Sequence, residues 1–100
     1  MRYILKDREA VEEPDLMKWA RFMEDRHANI VKRETVGPSK VSTIFLGLDY
    51  QFGDGPPLIF ETLVFDGKLD QQMMRYSTWE EAERGHARMV AQVKEAEGAS

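Results

Sequence analysis

The stretch Val41-Ser42-Thr43-Ile44-Phe45-Leu46-Gly47-Leu48-Asp49 decides the fold class. It is rich in β-branched and aromatic residues, which suit a pleated, half-buried surface, and it reads as the main strand of a sheet. Side chains alternate between faces along a strand, so Ile44, Leu46 and Leu48 share one side while Thr43, Phe45, Gly47 and Asp49 share the other. The even set is the more apolar, and it is expected to face the core.

Working outward, Gly53-Asp54-Gly55-Pro56-Pro57 must be a loop, because two glycines and two prolines cannot continue a ladder. Residues 58–65 resume as a strand. Asp66-Gly67 then turns the chain into a further strand over 69–76, since this dipeptide readily takes the positive φ angles of a tight hairpin. The register opposite Glu61 stays open, because a turn of two residues and one of four pair it with different partners. Upstream, Gly37-Pro38-Ser39 supplies turn chemistry behind a polar strand over 31–36.

Two amphipathic helices complete the reading. Pro14 and Asp15 mark a helix start, after which Leu16, Trp19, Ala20, Met23, His27 and Ile30 recur at three- and four-residue steps along one face. Ser77-Thr78-Trp79-Glu80-Glu81 holds two overlapping capping boxes, Ser77 with Glu80 and Thr78 with Glu81. Trp79, Ala82, His86, Met89, Val90 and Val93 line the helix that follows. With a short opening strand at Tyr3-Ile4-Leu5, the expected fold is α+β: an antiparallel four- to five-stranded meander sheet with both helices on one face, in the order β-α-β-β-β-β-α. A single domain over 1–100 is expected, with a frayed tail over 97–100.

Composition narrows the function classes. An apolar fraction of 42% in 100 residues supports one core. With no cysteine, disulfides, thiolate catalysis and thiolate metal sites are excluded. Fourteen basic against eighteen acidic residues give a net charge of −4, which disfavours a broad phosphate-binding surface, so nucleic acid is not an expected partner. The first residues reach charge too soon for a secretory signal and no apolar run is long enough to span a bilayer; the expectation is a cytoplasmic protein with no membrane partner.

No catalytic constellation emerges. The serines sit in turns, a cap and a strand without a nucleophile elbow, and the glycine loop joins two strands where a P-loop joins strand to helix. No cofactor is implied. The sharpest cluster is His27, His86 and Glu61: each histidine falls on the apolar face of its own helix and Glu61 interrupts an apolar strand, so the three could converge as a two-histidine, one-carboxylate metal site. A hydrogen-bonded core histidine and a paired strand glutamate are the competing reading. The acidic loop after Leu48 lacks the ligand pattern of a calcium loop. Tyr50, Phe52, Arg75 and Tyr76 are candidate binding residues, able to stack on and charge-pair with a ligand.

Apolar residues also fall on both strand faces. Val41, Phe45, one set of residues 58–65 and either Met73 or Met74 are expected to point away from the helices, and two helices cannot cover both faces. A partner surface follows, with a homodimer as the commonest way to bury it.

The runs Val41 to Asp49, Gly55-Pro56-Pro57-Leu58-Ile59-Phe60-Glu61-Thr62 and Arg75-Tyr76-Ser77-Thr78-Trp79-Glu80-Glu81-Ala82 with Gly85-His86 carry a resemblance in their order and spacing. Together with Asp15-Leu16 and Trp19-Ala20-Arg21-Phe22 they cover most of the chain, which resembles a family of small uncharacterised proteins encoded by bacteriophages and prophages. Tyr50 stands where that family often has a histidine after Leu-Asp, and Asp66-Gly67 where two glycines are usual. The resemblance implies a setting, the cytoplasm of an infected bacterium, and carries over no site residue. Within it, the expected function is a non-enzymatic interaction protein that binds and inhibits a host bacterial factor, such as a defence component. The alternatives are an oligomeric protein that sequesters a small nucleotide, and a virion or genome-packaging accessory.

Overall fold

The computed structural model describes residues 1–51 and 53–98. The elements run β1 (Tyr3–Lys6), β2 (Glu9–Glu12), α1 (Leu16–Glu24), β3 (Ile30–Val36), β4 (Ser39–Phe45), β5 (Phe60–Phe65), β6 (Met73–Tyr76) and α2 (Trp79–Gly98). Strands β3-β4-β5-β6 form the expected antiparallel meander, and the class is α+β. An extra strand changes the N-terminus: β1 pairs with β2 in a separate hairpin, outside the main sheet. Its turn uses Asp7 and Arg8, both at positive φ, with no glycine to announce it.

The register places α2 over the face carrying Val41, Thr43 and Phe45, which stand opposite Val64, Thr62 and Phe60 of β5. The expected core side is therefore reversed: the odd residues of β4 are buried, while Ile44 lies on the other face. Val36, Val41, Val64, Met89, Val90 and Val93 form one end of the core, and Phe45, Ile59, Phe60, Tyr76 and Ala82 the other. Each large side chain of this kind contributes on the order of 1.5–3 kcal/mol by leaving water. Gly85 lets α2 approach the sheet, because a Cβ there would run into the Tyr76 ring.

Helix α1 begins where expected, with the Asp15 carboxylate accepting the N–H groups of Met17 and Lys18. It ends earlier than its apolar spacing suggests. The Asp25 carboxylate accepts from the N–H of His27 and of Ala28, and this local turn draws the chain out of the helix. Its contact with the core runs through Phe22, edge-on to Phe45 with ring centroids 6.0 Å apart, and through Trp19, whose Nε1–H donates to the carbonyl of Gly47 at 3.0 Å. Gly47 sits at φ +75 with Met23 packed on its open side, a position a side chain would strain.

At the C-terminal end, the β5–β6 connection is longer than a tight turn. Asp66 and Gly67 take positive φ as expected, but Gln71 does too, and the chain re-enters the ladder only where Gln71 N–H donates to the Val64 carbonyl. Thr78 accepts from the Glu81 N–H and donates its hydroxyl to the Glu81 carboxylate, so of the two expected frames the Thr78–Glu81 pair supplies the cap, through the hydroxyl on both sides. Helix α2 continues to Gly98, and Glu97 accepts the Lys68 N–H. Residues 99 and 100 lie outside the described residues. Among the described residues no helix is long and apolar enough to cross a membrane.

Candidate functional site

Neither helix covers the second face of the sheet. Cross-strand pairing sets Lys40 beside Phe65, Ser42 beside Leu63 and Ile44 beside Glu61, with Arg33 next to Ser42 and with Met73 and Arg75 next to Leu63 and Glu61. Ile44 and Leu63 are half-buried, while Phe65 is 40% and Met73 45% exposed. A cavity of about 450 Å³ opens on this face, with Arg33, Lys40, Ile44, Glu61, Leu63 and Phe65 among its walls. Of its two acids, Glu61 and Asp66, the first is already committed, since Arg75 donates to Glu61 at 3.0 Å and lays its guanidinium over the Tyr50 ring, 4.5 Å from the centroid.

The expected apolar second face is thus present with different members. Val41 and Phe45 point into the core and Ile44 stands on the open face in their place, whereas Leu63 and Phe65 from residues 58–65 and Met73 lie there as expected. Met74 stands level with Thr62 on the helix side, where it is more than half exposed.

Under α2 lies a second polar feature, centred on His86 as the hydrogen-bonded core histidine of the competing reading, with partners that sequence patterning did not reveal. His86, 1% exposed, has Nε2 2.9 Å from a Glu34 carboxylate oxygen and Nδ1 2.6 Å from the Thr43 hydroxyl. Thr43 meets Thr62 at 2.6 Å, and Tyr76 donates to Thr62 at 3.2 Å. The chain of hydrogen bonds crosses all four strands.

Its proton order follows from its ends. An ionised carboxylate only accepts, so His86 Nε2 carries the hydrogen and a neutral ring leaves Nδ1 as acceptor. Thr43 must donate to it and in turn accept from Thr62, whose oxygen accepts from Tyr76. Burial holds the His86 pKa below its ordinary value, against the pull of Glu34 and with the help of Lys32. The hydrogen bond from His86 holds the Glu34 carboxyl below its ordinary range, assisted by Lys32, whose Nζ is 3.4 Å away; partial desolvation opposes both.

Carboxylate, imidazole and hydroxyl stand here in the sequence of a hydrolytic triad, but Thr43 is 0% exposed and its oxygen is shared with Thr62. A substrate carbonyl cannot reach it. What the arrangement does is satisfy four buried polar side chains and fix how α2 docks.

The histidine–glutamate metal cluster does not assemble. His27 is exposed in the turn after α1, His86 lies under α2, and Glu61 projects from the opposite sheet face onto Arg75. No group of three ligating side chains is close enough to hold a metal among the described residues. Of the candidate binding residues, Tyr50 and Arg75 do meet on the open face, whereas Tyr76 is a core residue on the other side. Phe52 lies outside the described residues. Sequence reading missed Arg33, Lys40 and Leu63 as a group, because only the register brings them to one face.

Compared with known proteins, the chain matches no family model, no curated protein and no solved structure.

Proposed function

We propose that this chain is a non-enzymatic interaction protein whose working surface is the open face of the β3–β6 sheet. The observation that carries the reading is the uncovered apolar group Ile44, Leu63, Phe65 and Met73, set in a charged surround on a domain whose two helices both serve the other side. Exposed contiguous apolar surface of this kind marks a contact site, because a solitary soluble domain gains nothing from leaving it wet. The resemblance to phage and prophage proteins supports a partner from the bacterial cytoplasm, with inhibition of a host factor as the biological outcome. Against catalysis stands the sealing of Thr43, the hydroxyl partner of His86.

The test compares what the immobilised wild-type chain and a Leu63→Thr, Phe65→Thr double variant retain from bacterial lysate. Threonine keeps strand propensity while removing the apolar contact. Arg84→Gln, exposed on α2, is the control. A protein held by wild type and control but lost by the double variant supports the reading; equal retention by all three sinks it. Native mass spectrometry of the wild type separates two other outcomes. A homodimer abolished by the double variant assigns the face to self-association, and added nucleotide mass assigns it to a small ligand, for which Tyr50 stacked on Arg75 is the favourable feature.

A further inference from the structure

The open face carries Arg33, Lys40 and Arg75 against Glu61 and Asp66, a small cationic excess on a chain whose net charge is −4. A second cavity of about 260 Å³, walled by Arg26, Ile30, Arg33, Ile44 and Leu46 among others, shares Arg33 and Ile44 with the first, so the two form one trough along β3 and β4. Arg26, Arg33 and Lys40 line this trough, and none of them takes part in an ion pair among the described residues. Arg33 is held in place by donating from Nε to the Ser42 hydroxyl at 3.1 Å, which leaves the rest of its guanidinium free for another acceptor. Glu61 is neutralised by Arg75, so the one uncompensated acid in the walls is Asp66 at the far end. An apolar floor with unneutralised cations along one side calls for an anionic occupant with an apolar body.

The layout of the cations selects among anions. Lys40 and Arg33 are diagonal neighbours across β3 and β4, which puts them roughly 7–8 Å apart at their base. An extended peptide repeats its side chains every second residue at roughly 7 Å, so alternate acids would meet successive cations while the intervening side chains face Ile44, Leu63 and Phe65. A compact phosphate would instead need the cations to converge on one point, with backbone N–H groups beside them. We infer that the trough along β3 and β4 receives an extended acidic segment of the partner protein, with Arg33 and Lys40 pairing with alternate carboxylates and Ile44, Leu63 and Phe65 seating the apolar residues between. The inference rests on the open face being the contact surface.

The probe is a fluorescein-labelled hexapeptide alternating glutamate with leucine and phenylalanine, with glutamine and lysine versions as comparators, followed by anisotropy and by amide chemical shifts. The glutamate peptide is expected to bind saturably, to move the amides of Arg33, Lys40, Ile44 and Leu63, and to weaken as salt rises to about 0.5 M. An Arg33→Glu, Lys40→Glu double variant should bind it about tenfold more weakly, with Arg84→Glu unchanged. Equal binding of the glutamine peptide, an unchanged affinity in the double variant, or shifts on another surface would overturn the inference. So would displacement of the peptide from these same residues by inorganic phosphate or a single-stranded oligonucleotide at lower concentration. If lysate retention is lost in the Leu63→Thr, Phe65→Thr variant but kept in the charge-reversed one, the face reading stands and the acidic segment falls. If both variants retain as wild type does, both fall.

Discussion

The Nδ1 atom of His86 lies 2.6 Å from the Thr43 hydroxyl, with both side chains sealed beneath α2. This contact joins the helix to the central strands, and with Glu34, Thr62 and Tyr76 it sets a single proton order across the sheet.

His86 should be neutral at pH 7 with its proton on Nε2. Long-range nitrogen–proton NMR of the imidazole checks this directly. An Nδ1-protonated ring would mean that Thr43 accepts instead of donating, and the order proposed for the whole chain of hydroxyls would be reversed.

Thr43→Val keeps the shape of the side chain and removes its donor and acceptor. Nδ1 of His86 is then left without a donor and Thr62 without an acceptor, so a loss of about 1–3 kcal/mol is expected in urea unfolding. A change within about 0.5 kcal/mol would show that water or a rearranged neighbour satisfies both groups.

Acid should weaken the fold in two stages. The folded pKa of His86 lies below its ordinary 6.5, so the unfolded chain takes up a proton first and stability begins to fall as pH drops below that value. Glu34 is depressed below 4.5; its contribution is present above that value and is lost as pH falls through the folded pKa. Both groups act in the same direction. The urea midpoint should therefore decline from neutral pH to about pH 4, and Glu34→Gln should lose part of the further decline below it. A midpoint that is flat or rises on acidification would contradict this assignment.

Gly85→Ala should destabilise by about 1–3 kcal/mol, because the new methyl group meets the Tyr76 ring and forces α2 or Tyr76 to move. Thermal unfolding checks it. Stability equal to wild type would mean that the helix has room to lift, and that the Tyr76–Thr62 hydrogen bond is not tightly held.

How far the fold could be read from the sequence depends on which forces act locally. The meander was legible because turn residues such as Gly37 and Asp66-Gly67 interrupt runs of strand-forming side chains. Caps at Asp15 and Thr78 were legible for the same reason: the groups they satisfy lie within three residues. The choice of buried face was not. Alternation groups residues but does not say which group faces the helices, and Thr43 and Thr62 read as polar when they are the deepest hydroxyls in the molecule. They can be buried because they satisfy each other and His86, a relation between residues 43, 62 and 86 that no local pattern encodes. His27 failed as a site residue through a local competitor, the Asp25 carboxylate that ends α1 just before it. The open face was expected, and its cationic edge was not, because Arg33 and Lys40 meet only through the β3–β4 register.

Oxidative footprinting of the complex isolated gently from bacterial cytoplasm tests the role of the open face most directly. Met73 on that face is 45% exposed, and Met17 on α1, 61% exposed, serves as an internal reference away from it. Docking over β3–β6 predicts that Met73 oxidises several-fold more slowly in the complex than in the free chain while Met17 is unchanged. Met73 as reactive as in the free chain with Met17 protected, or a bare monomer with no complex to footprint, would contradict the assignment of this face as the working surface.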